Sequence, residues 1–417
     1  MGNRTEKIER GTKAYRSANL ALFIAGFVTF STLYTVQPLL PLLAGEFGVS
    51  PATSSLALSV ATFALAWMLP VSGSFSDAHG RRALMGTAMT LTSLLALASA
   101  FSTTLPALLA ARLLQGAALA GVPAVAMAYL NDEMSPRAIG SAMGLYIAGN
   151  ACGGMTGRIL TSLLADVLPW RGAVAVIGLL ALTLSLLFWL LLPPSRHFQR
   201  RPFRLGPLSA SLVGHLREPG LFCLFALAFL FMGGFVTLYN YATFHLVAPP
   251  YSLAQSQVAC IFLAYAFGAC GSSVMGGLVE RFGRPRLLCT ALAIMTGGAL
   301  LTLLAPLAAI VAGIVVFTIG FFGAHAVASA WVGARAETAR AQASSLYLLA
   351  YYLGSSISGT GGGFIWSAWG WPGVVVLILA LLTIAGLVLL YLTGLAEKRD
   401  QPAAAPEMTA AFGPAAE

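Results

Sequence analysis

The sequence predicts an all-α integral membrane protein of twelve transmembrane helices, arranged as two pseudo-symmetric halves of six helices each. Three observations support this prediction. Apolar residues make up 58% of the 417 residues and charged residues only 9%, which is too few charges to cover the surface of a soluble fold. Twelve stretches are long and apolar enough to cross a bilayer, which takes about 20 residues. One short charged motif also occurs once in each half.

The order of the predicted spans defines the domain organisation. The spans lie at residues 19–44, 52–76, 83–101, 104–130, 138–165, 171–192, 220–248, 254–280, 286–304, 306–333, 340–368 and 372–394. An amino-terminal tail, 1–18, precedes a six-helix half, 19–192, and a basic linker, 193–219, joins it to the second half, 220–394. We expect the Ala- and Pro-rich tail, 395–417, to be disordered.

The positions of the charges predict topology. The net charge is +9, but Lys and Arg concentrate in the tails and in the even-numbered loops, as the positive-inside rule requires if both termini are cytoplasmic. We therefore predict a multi-pass protein of the plasma membrane with the lipid bilayer, and no nucleic acid, as its partner. The five cysteines show no paired spacing and all three lysines lie in the tails, so we predict no metal, no cofactor and no phosphate-binding loop.

A glycine-rich, charged motif follows the second and the eighth span. Its two copies contain Gly73, Asp77, Gly80, Arg81 and Arg82, and Glu280 and Arg284. Gly73 allows helices to approach closely, and Gly80 permits a tight turn. Asp77 can lie against a helix amino terminus of the opposite half, where the macrodipole favours an anion. We expect these residues to gate the cytoplasmic side; the alternative is a loop that sets topology and has no gating role.

Twelve spans in two halves, with the pattern GxxxDxxGRR at residues 73–82, resemble the major facilitator superfamily over residues 15–395. Arg112 and Gln115 on span 4 are similar to the superfamily's RxxQG signature, and this resemblance implies that Arg112 takes part in proton coupling. A charge within a membrane span is energetically unfavourable and usually functional. The alternative is an arginine whose donors are satisfied by carbonyls and waters for structural reasons alone.

Span 5 carries two adjacent stripes at helical spacing. Gly149, Gly153 and Gly157 recur every four residues and predict close packing against another helix. The neighbouring stripe can face a cavity; its members are Tyr146, Asn150, Gly154 and Arg158. Arg158 is a second buried charge, unless it extends outward to Asp166 or to lipid headgroups.

The same span also carries a resemblance within the superfamily. It resembles the drug-antiporter pattern GPxxGG, although Asn150 stands where proline is usual. The longer runs at residues 144–158 and 344–358 look like the YnfM-like branch of bacterial inner-membrane permeases. This likeness implies a bacterial inner membrane and a drug:proton antiporter type of transport more firmly than it implies any substrate.

The candidate binding residues lie on spans that line the cavity in this superfamily. They are Tyr34 and Gln37 on span 1, Tyr146, Asn150 and Arg158 on span 5, Asn240 and His245 on span 7, His325 on span 10, and Tyr347 and Tyr351 on span 11. Either histidine could carry a proton, or could be a packed core residue. Because Arg112 and Arg158 have no carboxylate within the predicted spans, we expect the cavity to favour anionic, zwitterionic or neutral molecules over lipophilic cations.

These features together predict a secondary active transporter, not an enzyme, that moves a small organic molecule by alternating access. We expect a monomer that uses protons as coupling ion and works in the direction of efflux. One alternative is an uptake permease for an organic anion or nutrient. An alternative of another class is a membrane receptor or scaffold that does not transport.

Overall fold

The computed structural model describes residues 7–198, 200 and 205–400, and within these ranges regular structure is helical apart from a single β-bridge between Ile8 and Met134. The helices are α1 (Lys13–Tyr34), α2 (Leu40–Phe47), α3 (Pro51–His79), α4 (Arg81–Ala100), α5 (Leu105–Leu119), α6 (Pro123–Glu133), α7 (Ile139–Ala165), α8 (Trp170–Leu191), α9 (Leu205–Arg217), α10 (Pro219–Val247), α11 (Gln255–Ala259), α12 (Ala264–Gly277), α13 (Val279–Phe282), α14 (Arg284–Leu301), α15 (Leu307–Arg335) and α16 (Arg340–Asp400). Short 3₁₀ turns follow α1, at Gln37–Leu39, and α11, at Cys260–Leu263.

Nine helical segments of the described chain are long and apolar enough to cross a membrane. The less apolar helices α7 and α14 are not among them, and the last segment, Arg340–Leu395, is counted once although two helices meet within it at Gly370. The prediction of an all-α membrane protein is therefore confirmed. The exact number of twelve spans stays a prediction.

Helix boundaries differ from the predicted spans mainly at the chain's ends and in the linker. Helix α1 begins at Lys13, inside the predicted tail, because the Thr12 hydroxyl accepts a hydrogen bond from the Tyr15 N–H (3.1 Å) and caps the helix. The predicted linker contains α9, and α16 runs on to Asp400. The rest of the predicted disordered tail, 401–417, lies outside the described residues.

The glycine stripe of α7 packs directly on α1, as predicted. A Cβ atom added at Gly153 would lie 2.3 Å from the Phe27 carbonyl oxygen, and one at Gly149 would lie 2.4 Å from the Phe23 carbonyl oxygen. Gly157 approaches the backbone of Ser31 in the same way. Only glycine allows two helix backbones to come this close, so this stripe fixes the distance between α1 and α7.

Helix ends that carry most of the basic residues share one face of the molecule, which we call the basic face. There Arg81 pairs with Asp132 (3.0 Å) and Arg335 pairs with Glu218 (2.8 Å). Burial raises the pKa of Glu218, but its hydrogen bonds from Arg335 and from the N–H groups at the start of α10 outweigh burial and leave this pKa below its usual value. We call the other face, where Asp166 and Gln255 lie together, the opposite face.

The linker is attached at the basic face to both halves of the molecule. His197 donates its backbone N–H to one carboxylate oxygen of Glu133, at the end of α6, and its ring Nδ1 lies 2.9 Å from the other oxygen. Helix α9 packs against α10 and α16 in the carboxy-terminal half. One part of the linker therefore belongs to the amino-terminal half, α1–α8, and the next part belongs to α10–α16.

The two halves meet toward the opposite face. Each hydrogen bond that joins them within the described ranges lies in the part of the helices nearer that face. The pairs are Gln37 with Asn240 (2.8 Å), Ser59 with Thr360 (2.8 Å), Thr62 with Ser356 (2.7 Å), and the Asp166 carboxylate with the N–H groups of Gln255 (3.1 Å) and Ser256 (3.0 Å). The structure is thus held closed at the opposite face.

Replacing Gly153 with alanine tests the close contact of α1 and α7. The added Cβ would collide with the Phe27 carbonyl, so we expect Gly153→Ala to lower the free energy of unfolding by about 1–3 kcal/mol through overpacking. The midpoint of thermal unfolding of the purified protein in detergent measures this loss. Gly144→Ala on the same helix is the matched control, since nothing lies within 4 Å of its added Cβ. Equal midpoints for the two variants would contradict the packing role.

Candidate functional site

The site begins with a break in the first membrane segment. Helix α1 ends at Tyr34, and a 3₁₀ turn, Gln37–Leu39, follows before α2. The last carbonyl groups of a helix have no partner within that helix. Arg112 on α5 supplies the missing donors: its Nη1 donates to the Thr32 carbonyl (3.0 Å) and its Nη2 to the Leu33 carbonyl.

Two further N–H donors of Arg112 are also used. Its Nε donates to the Ala57 carbonyl of α3 (2.9 Å), and Nη1 also donates to the Gln115 side-chain oxygen. Arg112 is 1% exposed, and none of the ion pairs among the described residues includes it. In this conformation it therefore joins α1, α3 and α5 through carbonyl groups, as the structural alternative expected. Its role in proton coupling stays a prediction.

Gln37, directly after the break, accepts a hydrogen bond from Arg158 of α7. The distance from Arg158 Nε to the Gln37 Oε1 is 2.6 Å, and Arg158 Nη1 donates to the Gly154 carbonyl of its own helix. Arg158 is 2% exposed. It does not extend to Asp166, which instead accepts hydrogen bonds from the start of α11, so the alternative of an Arg158 that reaches outward does not hold in this conformation.

Aromatic rings from both halves surround the Arg158 guanidinium. Its central carbon lies 3.8 Å from the ring centroid of Tyr34, 4.8 Å from that of Tyr265 and 5.5 Å from that of Phe262. Ring faces attract a cation at these distances. Since no ion pair of the described residues includes Arg158, its charge is stabilised by rings and hydrogen bonds alone.

The hydrogen bond from Arg158 orients a chain of amides across the boundary between the halves. A guanidinium can only donate, so the Gln37 oxygen must face Arg158 and the Gln37 nitrogen must face away. That nitrogen donates to Asn240 Oδ1 of α10 (2.8 Å). The Asn240 nitrogen is buried and has no acceptor among the described residues, so a donor remains available at the far end of the chain.

A second cluster of rings lies in the carboxy-terminal half, next to the rings that surround Arg158. Phe235 stacks on Phe321 with ring centroids 3.8 Å apart, and Tyr265 lies 5.6 Å from Phe235. His325 lies at its edge: its Nδ1 is 3.0 Å from the Tyr347 hydroxyl, and its ring is 4.9 Å from that of Tyr351. The predicted residues His325, Tyr347 and Tyr351 therefore form one group.

Three other predicted binding residues do not join the group around Arg158: two face a neighbouring helix, and the third lies apart. Tyr146 and Asn150 are on the α7 surface that meets α1, where the Asn150 side chain lies against Gly26. Their side-chain oxygens have no hydrogen-bond partner among the described residues. His245 stacks on Trp371 with centroids 4.9 Å apart and an angle of 2°. The structure thus brings Tyr34, Gln37, Arg158 and Asn240 together but leaves His245 outside this group.

The predicted gating motif lies on the basic face. Asp77 pairs with Arg81 of its own half (2.6 Å) rather than with the opposite half, and Arg82 donates to the Trp189 carbonyl (2.5 Å). Gly80 has φ 99°, which confirms the tight turn.

Close packing at Gly73 was also expected, and this is wrong for this conformation, since nothing lies within 4 Å of an added Cβ. The halves meet at the opposite face, so Gly73, near the basic face, has no neighbour from the other half. In the second copy of the motif, Gly283 repeats the turn with φ 76°, between Glu280 on α13 and Arg284 at the start of α14.

Comparison with known proteins now identifies the family. The model of the Major Facilitator Superfamily matches residues 22–324 and 244–415. The chain belongs to the major facilitator superfamily. It is 48% identical to the MFS-type transporter YybF of Bacillus subtilis (strain 168) and 46% identical to the inner membrane transport protein YnfM of Escherichia coli (strain K12). These matches cover 91% of this chain in each case, and 94% and 91% of the relatives.

The fold agrees with this assignment. A crystal structure of a bacterial homologue of the human lysosomal transporter Spinster, in an inward-facing and occupied conformation, superposes with a TM-score of 0.76 at 16% identity. The match covers 95% of this chain and 100% of the other. This major facilitator protein is therefore a multi-pass membrane transporter, as predicted.

Sequence reasoning missed the rings that the carboxy-terminal half contributes to this transporter's site. Phe262 and Tyr265 were not predicted, although they stand three residues apart and can therefore lie on one face of a helix. Phe235 and Phe321 were also missed. Each is an ordinary apolar residue within an apolar span, so nothing local distinguishes it from a core residue.

Proposed function

We propose that this transporter is a proton-coupled exporter of small organic molecules in the bacterial inner membrane, and that its substrates carry an anionic or neutral polar group. The observation that supports this proposal is the Arg158 guanidinium, buried at the boundary of the two halves among aromatic rings and without a carboxylate partner in the described chain. A positive field in a low-dielectric site attracts anions and repels cations.

The surroundings of Arg158 fit a small-molecule site. Such sites combine apolar and aromatic walls with a few placed polar groups. Tyr34, Phe262 and Tyr265 supply the walls, while Arg158 and Asn240 supply donors. An exporter of lipophilic cations would instead be expected to place a carboxylate here.

The distribution of contacts between the halves supports alternating access. Rocking of two six-helix halves around a midplane site exchanges closure at one face for closure at the other. In this structure the joining hydrogen bonds lie toward the opposite face, so the conformation corresponds to the inward-facing one if both termini are cytoplasmic. Asp77 would then take its partner in the opposite half only when the basic face closes.

Proton coupling is supported by the resemblance of Arg112 and Gln115 to the superfamily signature, and the His325–Tyr347 pair is a second place where a proton could be held. The same Arg158 observation also fits uptake of an organic anion. Flux into and out of proteoliposomes with imposed pH gradients separates the two directions. Accumulation of an anion with an inward proton gradient would favour uptake over export.

Asp77→Asn tests the gating role. The change removes the charge but keeps the volume, so we expect transport to slow severely while membrane expression stays intact, because the basic face can no longer be held closed. Arg81 would keep its partner Asp132, which limits the change to the gate. Glu280→Gln, in the second copy of the motif, should have a milder effect. Unchanged transport rates in Asp77→Asn proteoliposomes would remove the gating role.

Arg112→Lys tests proton coupling. Lysine keeps the positive charge but loses the planar fork that reaches the Thr32, Leu33 and Ala57 carbonyls. We expect uphill, pH-driven flux to be lost in Arg112→Lys and in Arg112→Ala, while a normal size-exclusion profile shows that the variants fold. Retained uphill flux in Arg112→Lys would show that only a positive charge is required.

Arg158→Gln tests substrate charge. We expect binding of organic anions to weaken by about 1.5–3 kcal/mol, the contribution of a charge-assisted hydrogen bond, while neutral compounds lose less. Equilibrium binding of a panel with both charge signs, measured on wild type and variant, checks this. Tight binding of ethidium-like cations to the wild type would contradict the anion site and place the protein among general drug exporters.

A further inference from the structure

We propose that Gln37 occupies the edge of Arg158 that a substrate anion would use, and that it thereby links binding of that anion to opening of the opposite face. The inference rests on the proposed function for the identity of the ligand. The link between Arg158, Gln37 and the opposite face rests on the hydrogen bonds alone.

The Arg158 guanidinium has one edge that suits a carboxylate. A carboxylate binds arginine best through two parallel hydrogen bonds from one edge of the fork. Nη1 of Arg158 is directed at the Gly154 carbonyl of its own helix, so the edge formed by Nε and Nη2 points away from that contact. Gln37 Oε1 already lies 2.6 Å from Nε on this edge. The Gln37 oxygen therefore stands where one oxygen of a bound carboxylate would lie.

The Gln37 side chain is also bonded to the other half of the molecule. Its Nε2 donates to Asn240 Oδ1 (2.8 Å), which is one of the few hydrogen bonds that join the two halves. The orientation of the Gln37 amide is set by Arg158, since the guanidinium accepts no hydrogen bond. An anion that binds Arg158 Nε takes the N–H that holds the Gln37 oxygen in this orientation. Gln37 must then turn or withdraw, and the bond to Asn240 is lost.

Gln37 differs from the other contacts that close the opposite face. Thr62 with Ser356, and Ser59 with Thr360, also join the halves through single hydrogen bonds. Both partners in each pair are hydroxyl groups, and no hydrogen bond among the described residues joins either pair to a charged side chain. Only the Gln37 contact is bonded both to the other half and to Arg158 within the described chain. A ligand shifts a conformational equilibrium only through contacts that differ between the states, and Gln37 supplies such a difference.

The test is a double-mutant cycle in the ligand-free protein, read by hydrogen exchange of the amides at residues 51–62 and 240–259. Gln37→Leu removes the middle member of the link between Arg158 and Asn240, and Arg158→Gln removes the guanidinium at its end. We expect each to speed exchange there by roughly fivefold, the effect of one net hydrogen bond on the opening equilibrium. The double variant should exchange no faster than either single variant, because both act on the same contact. Thr62→Val is the matched control, and its effect should multiply with that of Arg158→Gln.

Multiplied effects of Gln37→Leu and Arg158→Gln would overturn the inference, since the two residues would then act independently. A second arm adds benzoate as a probe anion. We expect benzoate to speed exchange in the wild type, to bind Gln37→Leu about fivefold more tightly, and to leave exchange in that variant unchanged. Arg158-dependent benzoate binding without any change in wild-type exchange would also overturn the inference and leave the proposed function standing. If the double variant exchanges no faster than either single variant but benzoate does not bind, the result would support the Gln37 link and count against the anion site.

Discussion

The capping of α1 by Arg112 is the interaction on which the rest of the site depends. A membrane helix that ends inside the protein leaves carbonyl groups that neither water nor lipid satisfies. Arg112 donates to two of these carbonyls and to a third on α3. The chain can therefore leave the helical path after Tyr34 and turn into the 3₁₀ segment, and this turn places Gln37 where it meets Arg158.

The two buried arginines illustrate different uses of the same side chain. Arg112 donates only to oxygens of the amino-terminal half, three of them backbone carbonyls. Arg158 contacts rings and an amide from elements that belong to both halves. A buried charge without a counter-ion is energetically unfavourable. Arg158 is such a charge, and it lies at the boundary where the halves would separate during transport.

Much of the fold was predictable from the sequence because its signals are local. The spans follow from apolar runs. The approach of α7 to another helix follows from glycines spaced at four residues, because a stripe without side chains allows close backbone contact. The site was predictable only in part. Arg158, Tyr34, Gln37 and Asn240 stood out as polar or aromatic groups in apolar helices, but the bonds among them join residues far apart in the chain. The absence of a neighbour at Gly73 depends on which face is closed, and a sequence does not specify one state of a two-state protein.

The attachment of the linker has a consequence for the range of motion. His197 is bound to Glu133 in the amino-terminal half, and α9, which begins at Leu205, is packed on the carboxy-terminal half. A fully extended chain covers at most about 3.5 Å per residue, so these two anchors can be no more than roughly 28 Å apart. The linker is therefore a tether of fixed maximum length across the basic face. It sets an upper limit on how far the halves can separate there while both anchors hold.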